Sequence, residues 1–116
     1  MTDCLFCKIC AGEIPAGVVF ENDDVMAFDD VNPQAPVHVL IIPKKHISTV
    51  NEMDADAGDE LVMGKLFSAA RSIASERGMS DDGYRLVVNT NKQAGQTVFH
   101  IHMHLLAGRN MSWPPG

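Results

Sequence analysis

The chain has 116 residues, 46% hydrophobic and 21% charged, which suits one folded domain and disfavours a disordered protein. Its formal net charge of -6, without a basic run, disfavours nucleic-acid binding but is compatible with a single nucleotide held by a few local groups. Neither a leader peptide nor an apolar run long enough for a bilayer is visible, so we expect a cytoplasmic protein without a membrane segment.

The predicted elements are strands separated by turn signals, with one main helix. Val- and Ile-rich segments mark the strands, and Asn, Gly and Pro clusters mark the turns. Val62, Leu66, Ala69 and Ile73 form one helical stripe, followed by Gly78 as a C-terminal cap. In chain order, we predict a turn or short helix at 4–11, strands at 18–20, 25–28 and 37–42, the main helix after an acidic stretch at 51–60, strands at 84–88 and 98–106, and an irregular tail at 108–116.

The loops and the acidic stretch complete the predicted fold. The segment at 29–36 contains two prolines and is predicted to be a loop, Pro43 to end a strand, and 89–97 to be a polar loop. The acidic stretch at 51–60 is interpreted as the solvated start of the main helix. Five strands joined mostly by short connections, with one main helix, predict an α+β domain with an antiparallel sheet that spans residues 1–116.

Three histidines alternate with apolar residues at 100–104. On a strand, His100, His102 and His104 share one face, while the apolar residues between them face the core. His100 and His104 would lie about 13 Å apart, too far for all three to bind one metal ion. A tolerated surface, a metal-binding face and a catalytic face remain open. We favour catalysis, because neutral imidazole is both a nucleophile and a proton carrier near neutral pH.

Several separated motifs of this chain resemble the histidine-triad (HIT) family, and the C-terminus is similar to that of its Hint branch. The resemblance runs from about Cys4 to Gly116 and implies a HIT-like fold with a short N-terminal helix and a sheet that continues across a homodimer. The motifs are His100-Ile101-His102-Met103-His104-Leu105-Leu106, Gly95-Gln96-Thr97-Val98, Asn32-Pro33-Gln34-Ala35-Pro36-Val37-His38, Ile42-Pro43-Lys44-Lys45-His46-Ile47 and Trp113-Pro114-Pro115-Gly116.

The resemblance implies hydrolysis of the phosphorus–nitrogen bond of purine nucleoside 5′-phosphoramidates, including aminoacyl-adenylate-like compounds. His102 would attack the α-phosphorus and form a nucleotidyl-histidine, which water then hydrolyses. His104 would donate a hydrogen bond to the phosphate oxygens. His38 would lie behind the nucleophile or near the ribose-phosphate and help to orient it. Thr97 occupies a position where many relatives carry serine and would keep the hydroxyl function.

The same resemblance implies contacts to the nucleotide and between protomers. Asp30 would bind the ribose hydroxyls, although by itself an Asp in such a loop is more often a turn residue. Trp113 would cross toward the partner's active site, with a hydrophobic plug as the alternative. The remaining phosphate- or ribose-contacting positions are Asn89, Gly95, Gln96 and Thr97.

The three cysteines lie within the first ten residues. An odd number of cysteines in a reducing compartment favours a metal or reduced thiols over disulfides. The resemblance implies a structural zinc ion bound by Cys4, Cys7, His46 and His100, with a pair of small thiols that bind no metal as the alternative. Cys10 is predicted to be a buried thiol, and no organic cofactor is expected.

Three other functions compete with this assignment. Diadenosine polyphosphate hydrolysis is one, and the Trp-Pro-Pro-Gly ending favours the Hint branch over it. Nucleotidyl transfer is a second, but such relatives often replace the third triad histidine, which this chain keeps as His104. A non-catalytic, zinc-stabilised module for nucleotide binding or protein interaction is the third, and turnover by the protein would separate it from the enzymes.

Overall fold

The computed structural model describes residues 3–116 and shows an α+β fold built on one antiparallel sheet. Two single 3₁₀ turns, Val50–Glu52 and Ala55–Ala57, precede the long helix. None of the helices in this described range is long and apolar enough to cross a membrane. The elements are α1 (Leu5–Cys10), β1 (Val18–Glu21), β2 (Val25–Asp29), β3 (Val37–Pro43), α2 (Asp59–Glu76), β4 (Arg85–Val88), α3 (Asn91–Ala94) and β5 (Met103–Ala107).

The five strands form a sheet in the order β1-β2-β3-β5-β4, with every neighbouring pair antiparallel. The predicted antiparallel sheet is therefore confirmed. Strand β3 lies at the centre, where Leu40 is opposite His104 and His38 is opposite Leu106. Strands β1 and β4 form the two edges within one chain.

Helices cover both faces of the sheet, and the alternation of side chains decides which residues meet which helix. The predicted stripe of α2 packs on one face, where Val39 and Ile41 of β3 are fully buried. Phe6 and Ile9 of α1 pack on the other face against Leu40 and Ile42. Each such aliphatic side chain contributes roughly 1.5–3 kcal/mol to folding. The residues between the triad histidines also pack toward α2, as predicted: Ile101, Met103 and Leu105.

The last predicted strand is shorter than the sequence pattern indicates. Residues 98–102 are irregular, and the strand begins at Met103, because the four residues of β4 pair only with residues 103–106. Ile101 instead donates its backbone N–H to Ile47 at 2.7 Å. The alternation of side chains nevertheless continues through this irregular segment, so the histidines keep the common side that the sequence predicts.

Pro43 is the last residue of β3 and ends this strand, as predicted. Two further details differ from the predictions. The loop at 89–97 contains the short helix α3, which Gly95 ends with a left-handed φ of 86°. Asp59, in the acidic stretch interpreted as solvated, is only 2% exposed. It accepts a hydrogen bond from Lys45 Nζ at 2.5 Å, and this bond holds the pKa of Asp59 below its usual value.

The turn after β5 packs tightly on the loop between β2 and β3. Gly108 has a φ of 93°, and a Cβ atom there would lie 2.9 Å from Pro36 Cβ. A side chain at residue 108 would therefore be strained by its backbone conformation and would also clash with a rigid proline ring. Only glycine fits this position without moving the loop.

We therefore expect Gly108→Ala to lower the free energy of unfolding by about 2–3 kcal/mol. Gly78→Ala is the matched control, because Gly78 has a similar φ of 71° but open space around its missing Cβ. The control should lose only about 1 kcal/mol. Urea denaturation measures both losses, and equal values would show that the contact with Pro36 adds nothing.

Candidate active site and metal-binding cluster

The three alternating histidines serve two different places. His100 joins Cys4, the N-cap of α1, Cys7 within this helix and His46 in a compact cluster. His102 and His104 line a cavity of about 360 Å³ between α1 and the sheet. The structure thus resolves the geometric problem posed by the sequence, since the three imidazoles do not converge on one point.

The cluster brings together all four residues predicted to bind a metal. The ligand atoms of Cys4, Cys7, His46 and His100 all lie within 4.8 Å of one another. His46 Nδ1 lies 3.3 Å from Cys7 Sγ and 3.2 Å from His100 Nδ1, and His100 Nδ1 lies 3.4 Å from Cys4 Sγ. Zinc bonds of about 2.0–2.3 Å in a tetrahedron imply edges of roughly 3.3–3.8 Å. The two-sulfur, two-nitrogen set therefore fits a tetrahedral ion.

The protonation state of His100 also suits a side chain that binds a metal ion. Its Nε2 lies 2.7 Å from the carbonyl oxygen of Pro43, so Nε2 carries the proton and Nδ1 offers its lone pair to the cluster. His100 is fully buried, and this burial lowers its pKa. A neutral imidazole with a free Nδ1 lone pair is the form that binds metal ions.

The cavity has apolar walls and a polar end. Leu5, Phe6 and Ile9 of α1 form much of one side. This arrangement suits a flat apolar ring with a polar substituent. The sequence analysis did not predict that these three residues line the site. They lie within or just after the Cys-Leu-Phe-Cys segment, whose predicted role in metal binding could have pointed to them. Leu40 of β3 also lines the cavity, together with four predicted site residues: Asp30, Thr97, His102 and His104.

His102 is held in one tautomer by the backbone. Its Nδ1 lies 2.9 Å from the carbonyl oxygen of His100, which can only accept a hydrogen bond. Nδ1 therefore carries the proton, and the lone pair lies on Nε2. The ring is 7% exposed and packs edge-to-face on Phe6, with ring centroids 5.1 Å apart. These contacts fix the orientation of the His102 ring and leave its lone pair on Nε2.

The hydrogen bonds of His38 and His104 also determine which ring nitrogen of each imidazole carries the proton. The backbone N–H of Gln34 donates to His38 Nδ1 at 3.0 Å, so the proton of His38 lies on Nε2. His38 Nε2 lies 2.9 Å from His104 Nδ1 and donates to it. The proton of His104 must then lie on Nε2, a buried atom without a hydrogen-bond partner in the described part of the chain. His104 therefore has an unused donor beside the cavity.

The same contacts disfavour a second metal site. Asp30, His38 and His104 also lie within 4.8 Å of one another, and Asp30 Oδ2 is 3.4 Å from His38 Nε2. However, His38 Nε2 is a donor while Gln34 donates to Nδ1, so it has no lone pair for a metal. We interpret Asp30 as the carboxylate that faces the His38 proton.

Burial, with smaller contributions from the neighbouring imidazoles of His102 and His38, lowers the pKa of His104 to about 4. His104 is therefore neutral near pH 7, and its Nε2–H is a neutral donor. A neutral donor can bind a phosphate oxygen without giving up its proton.

The loop before the triad places Thr97 at the cavity, whereas the Gln96 side chain makes hydrogen bonds to backbone groups of the protein. Gln96 is 6% exposed and donates its amide to the carbonyl oxygens of Ser48 and Val98 at 2.9 and 3.1 Å. Its Oε1 accepts the backbone N–H of Asn91 at 2.9 Å. In this arrangement the Gln96 side chain shapes the loop, and both of its amide protons already have acceptors.

Three other predicted site residues are not brought to the cavity. Asn89, directly after β4, and Gly95, at the end of α3, are not among the lining residues in the described chain. Trp113 is 83% exposed in the C-terminal tail, which Arg85 holds by donating to the carbonyl oxygen of Ser112 at 2.9 Å. Within one chain, none of the three residues lines the pocket.

Comparison with known proteins agrees with this geometry. The HIT domain family model matches residues 11–111. The chain is 50% identical over 105 residues to the purine nucleoside phosphoramidase of Escherichia coli K12, covering 90% of this chain and 87% of that protein. It is also 48% identical to an uncharacterized HIT-like protein of Synechococcus elongatus, over 98% of this chain and 97% of that protein.

Solved structures agree with the fold. A HIT family hydrolase from Legionella pneumophila superimposes with a TM-score of 0.94 and 54% identity, covering 98% of this chain and 100% of that chain. A histidine triad protein from Clostridium difficile superimposes with a TM-score of 0.91 and 39% identity, covering 97% and 96% of the two chains.

The depressed pKa of His104 predicts a pH-dependent stability. An unfolded histidine titrates near its model value of 6.5, whereas folded His104 titrates near 4. Between these values the unfolded state binds more protons, so the free energy of unfolding falls as the pH decreases from 6.5 toward 4. Above 6.5 the contribution is fully present.

Urea denaturation across this range should show a smaller loss for His104→Gln than for the native protein, because glutamine does not titrate. The buried His100 contributes in the same direction to both proteins, so the difference between them isolates His104. Identical pH dependence in the two proteins would contradict the assignment.

Proposed function

The chain belongs to the HIT family of hydrolases, and we propose that it cleaves the phosphorus–nitrogen bond of purine nucleoside 5′-phosphoramidates, including aminoacyl-adenylate-like compounds. The observation that carries this proposal is the tautomer of His102. Its backbone partner leaves a lone pair on Nε2 of a buried imidazole that lines the cavity. The name of the Escherichia coli relative supports the same substrate class.

The proposed reaction has two displacements at phosphorus. His102 Nε2 attacks the α-phosphorus, the bond to the leaving nitrogen breaks, and the amine departs after taking up a proton from solvent. Water then attacks the nucleotidyl-histidine, the bond between phosphorus and Nε2 breaks, and the nucleoside monophosphate leaves. The proton released by water passes to solvent. His102 returns to its starting tautomer because the His100 carbonyl holds the Nδ1 proton throughout.

His104 and Thr97 are proposed to bind the reacting group. The unpartnered Nε2–H of His104 would donate to a phosphate oxygen, where negative charge develops in the transition state. The Thr97 hydroxyl, at the cavity wall, would donate to the leaving group or to the phosphate. Gly95 and Gln96 are proposed to act through the loop backbone that they shape, and Asn89 through a contact to phosphate or ribose.

The nucleoside is proposed to occupy the apolar part of the cavity. A purine ring would lie between α1 and the sheet, in contact with Phe6, Ile9 and Leu40. Asp30, at the mouth of this slot, would accept hydrogen bonds from the ribose hydroxyls. Its second role is electrostatic, since its carboxylate faces the proton of His38.

We further propose that the cysteine–histidine cluster holds a structural zinc ion. The distances among the four ligand atoms and the protonation of His100 support this assignment. Bound there, zinc would cross-link α1 to residues 46 and 100. Thiolate ligands need a reducing environment, which supports the cytoplasm as the location.

A homodimer is proposed through strand β4. Within one chain β4 is a sheet edge, and Val88 at its end is 37% exposed. An apolar sheet edge is a template for pairing with a second strand. Pairing of β4 with its copy would extend the sheet, and the exposed Trp113 would then be free to contact the second protomer.

We expect purified protein to release AMP from adenosine 5′-phosphoramidate, and His102→Ala to lower the rate by more than about 10³-fold while AMP still binds. A coupled assay measures release, and calorimetry measures binding. A diadenosine polyphosphate is the comparison substrate. Faster release from that compound would favour the alternative hydrolase, and AMP binding without turnover of either compound would favour a non-catalytic binding module.

For the metal, we expect about one zinc ion per chain in native protein and in Cys10→Ser, and much less in Cys4→Ser. Cys10 is the matched control on the same helix, because it lies outside the four-residue cluster and burial raises the pKa of its thiol. Elemental analysis gives the zinc content. Equal zinc in all three proteins, or none in the native one, would overturn the assignment.

A further inference from the structure

The loop between β2 and β3 carries Asp30 and leads to His38, and its ends are held by the Asp30 N–H bond to the carbonyl oxygen of His38 and by the contact of Pro36 with Gly108. Val31 in this loop is fully exposed. Asn32 donates its backbone N–H to Asp30 Oδ1 at 2.9 Å, and the Gln34 side chain donates to the carbonyl oxygen of Asn32 at 3.1 Å. These bonds lie within the loop, so they cannot fix its position relative to the sheet.

An arginine from the turn after β5 supplies an anchor. Arg109 donates to the carbonyl oxygen of Gln34 from Nη2 at 3.1 Å and from Nε at 3.3 Å. Its Nη1 donates to the carbonyl oxygen of Asn110 at 3.1 Å, which holds the guanidinium on its own turn. Two donors of one planar group on a single acceptor define its direction better than one flexible donor does.

Gln34, the residue that Arg109 holds, also determines which ring nitrogens of His38 and His104 carry protons. The carbonyl oxygen of Gln34 is held by Arg109, and its N–H donates to His38 Nδ1. This N–H is what places the proton of His38 on Nε2, and consequently the proton of His104 on its own Nε2. The chain of contacts runs from an exposed arginine to the donor beside the cavity.

We propose that Arg109 is a positioning residue that maintains the tautomers of His38 and His104 from outside the cavity. The functional part of this inference rests on the proposed phosphoramidase activity. Without Arg109 the Gln34 N–H can leave His38, and His38 can then carry its proton on Nδ1. His38 Nε2 would become an acceptor, and the proton of His104 would move to its Nδ1, which would donate to His38 Nε2. A lone pair of His104 would then face the phosphate and repel it.

The change of tautomer should slow catalysis more than it weakens substrate binding. His102 and the apolar cavity walls from α1 are not bonded to the loop, and Asp30, which also lines the cavity, keeps its own backbone bond to the carbonyl oxygen of His38 at 2.9 Å without Arg109. We therefore expect Arg109→Ala to lower kcat about tenfold and to change KM less than about twofold. Arg109→Lys keeps the charge but lacks the planar fork, so it should restore only part of the rate.

The decisive measurement is nitrogen NMR of histidine-labelled protein, which reports which ring nitrogen of each histidine carries the proton. In native protein and in Arg71→Ala we expect His38 and His104 protonated on Nε2, and in Arg109→Ala a mixture of tautomers. Arg71 is the matched control, an exposed arginine on α2. Unchanged tautomers and an unchanged kcat in Arg109→Ala would overturn the proposal.

The two arms also separate this inference from the proposed function. If the native protein releases no AMP from adenosine 5′-phosphoramidate, the proposed function fails, and the NMR arm still decides the role of Arg109. If the tautomers remain native in Arg109→Ala while kcat falls, the arginine acts by another route and the proposal is wrong. Thermal denaturation of each variant identifies any loss of rate that is due to unfolding.

Discussion

Strands β3 and β5 pair with Leu40 opposite His104, and both the core and the candidate site depend on this register. The pleat directs one set of side chains to α2 and the alternate set toward α1. The set that faces α2 is Val39, Ile41, Met103 and Leu105, and the set that faces α1 includes Leu40, Ile42 and the two histidines, His38 and His104. His38 and His104 are diagonal neighbours in this pairing, which brings their ring nitrogens to 2.9 Å. A slip of one residue would bury the imidazoles under α2 and expose the aliphatic side chains, so the hydrophobic core itself enforces the geometry of the site.

Helix α1 joins the two halves of the site. It has six residues, which is too short for a helix to be stable by itself, so its position is set by tertiary contacts. Cys7 and the N-cap residue Cys4 belong to the cysteine–histidine cluster, while Phe6 contacts the rings of both His100 and His102, with centroids 5.9 and 5.1 Å apart. One short segment therefore contributes to the cluster, to the cavity wall and to the packing of His102.

The sequence predicted those features that depend on local pattern. The stripe of α2 and the alternation around His102 are periodic, and the structure confirms both. The beginning of β5 could not be predicted, because it depends on where β4 stops pairing. Burial of Asp59 depends on Lys45, fourteen residues earlier, and the internal role of Gln96 depends on Ser48. The tautomers were also beyond the sequence, since they depend on backbone atoms brought together by the fold.

The group that orients His102 is a main-chain carbonyl, and this has an evolutionary consequence. In many enzymes a side-chain carboxylate holds the catalytic imidazole, and a single mutation can delete it. Here the acceptor belongs to the peptide of residue 100 and is present whatever amino acid occupies that position. Selection can therefore change the residue at 100, and with it the cysteine–histidine cluster, while the orienting oxygen is retained. The orientation of His102 thus depends on the path of the main chain and is protected from substitution of a single side chain.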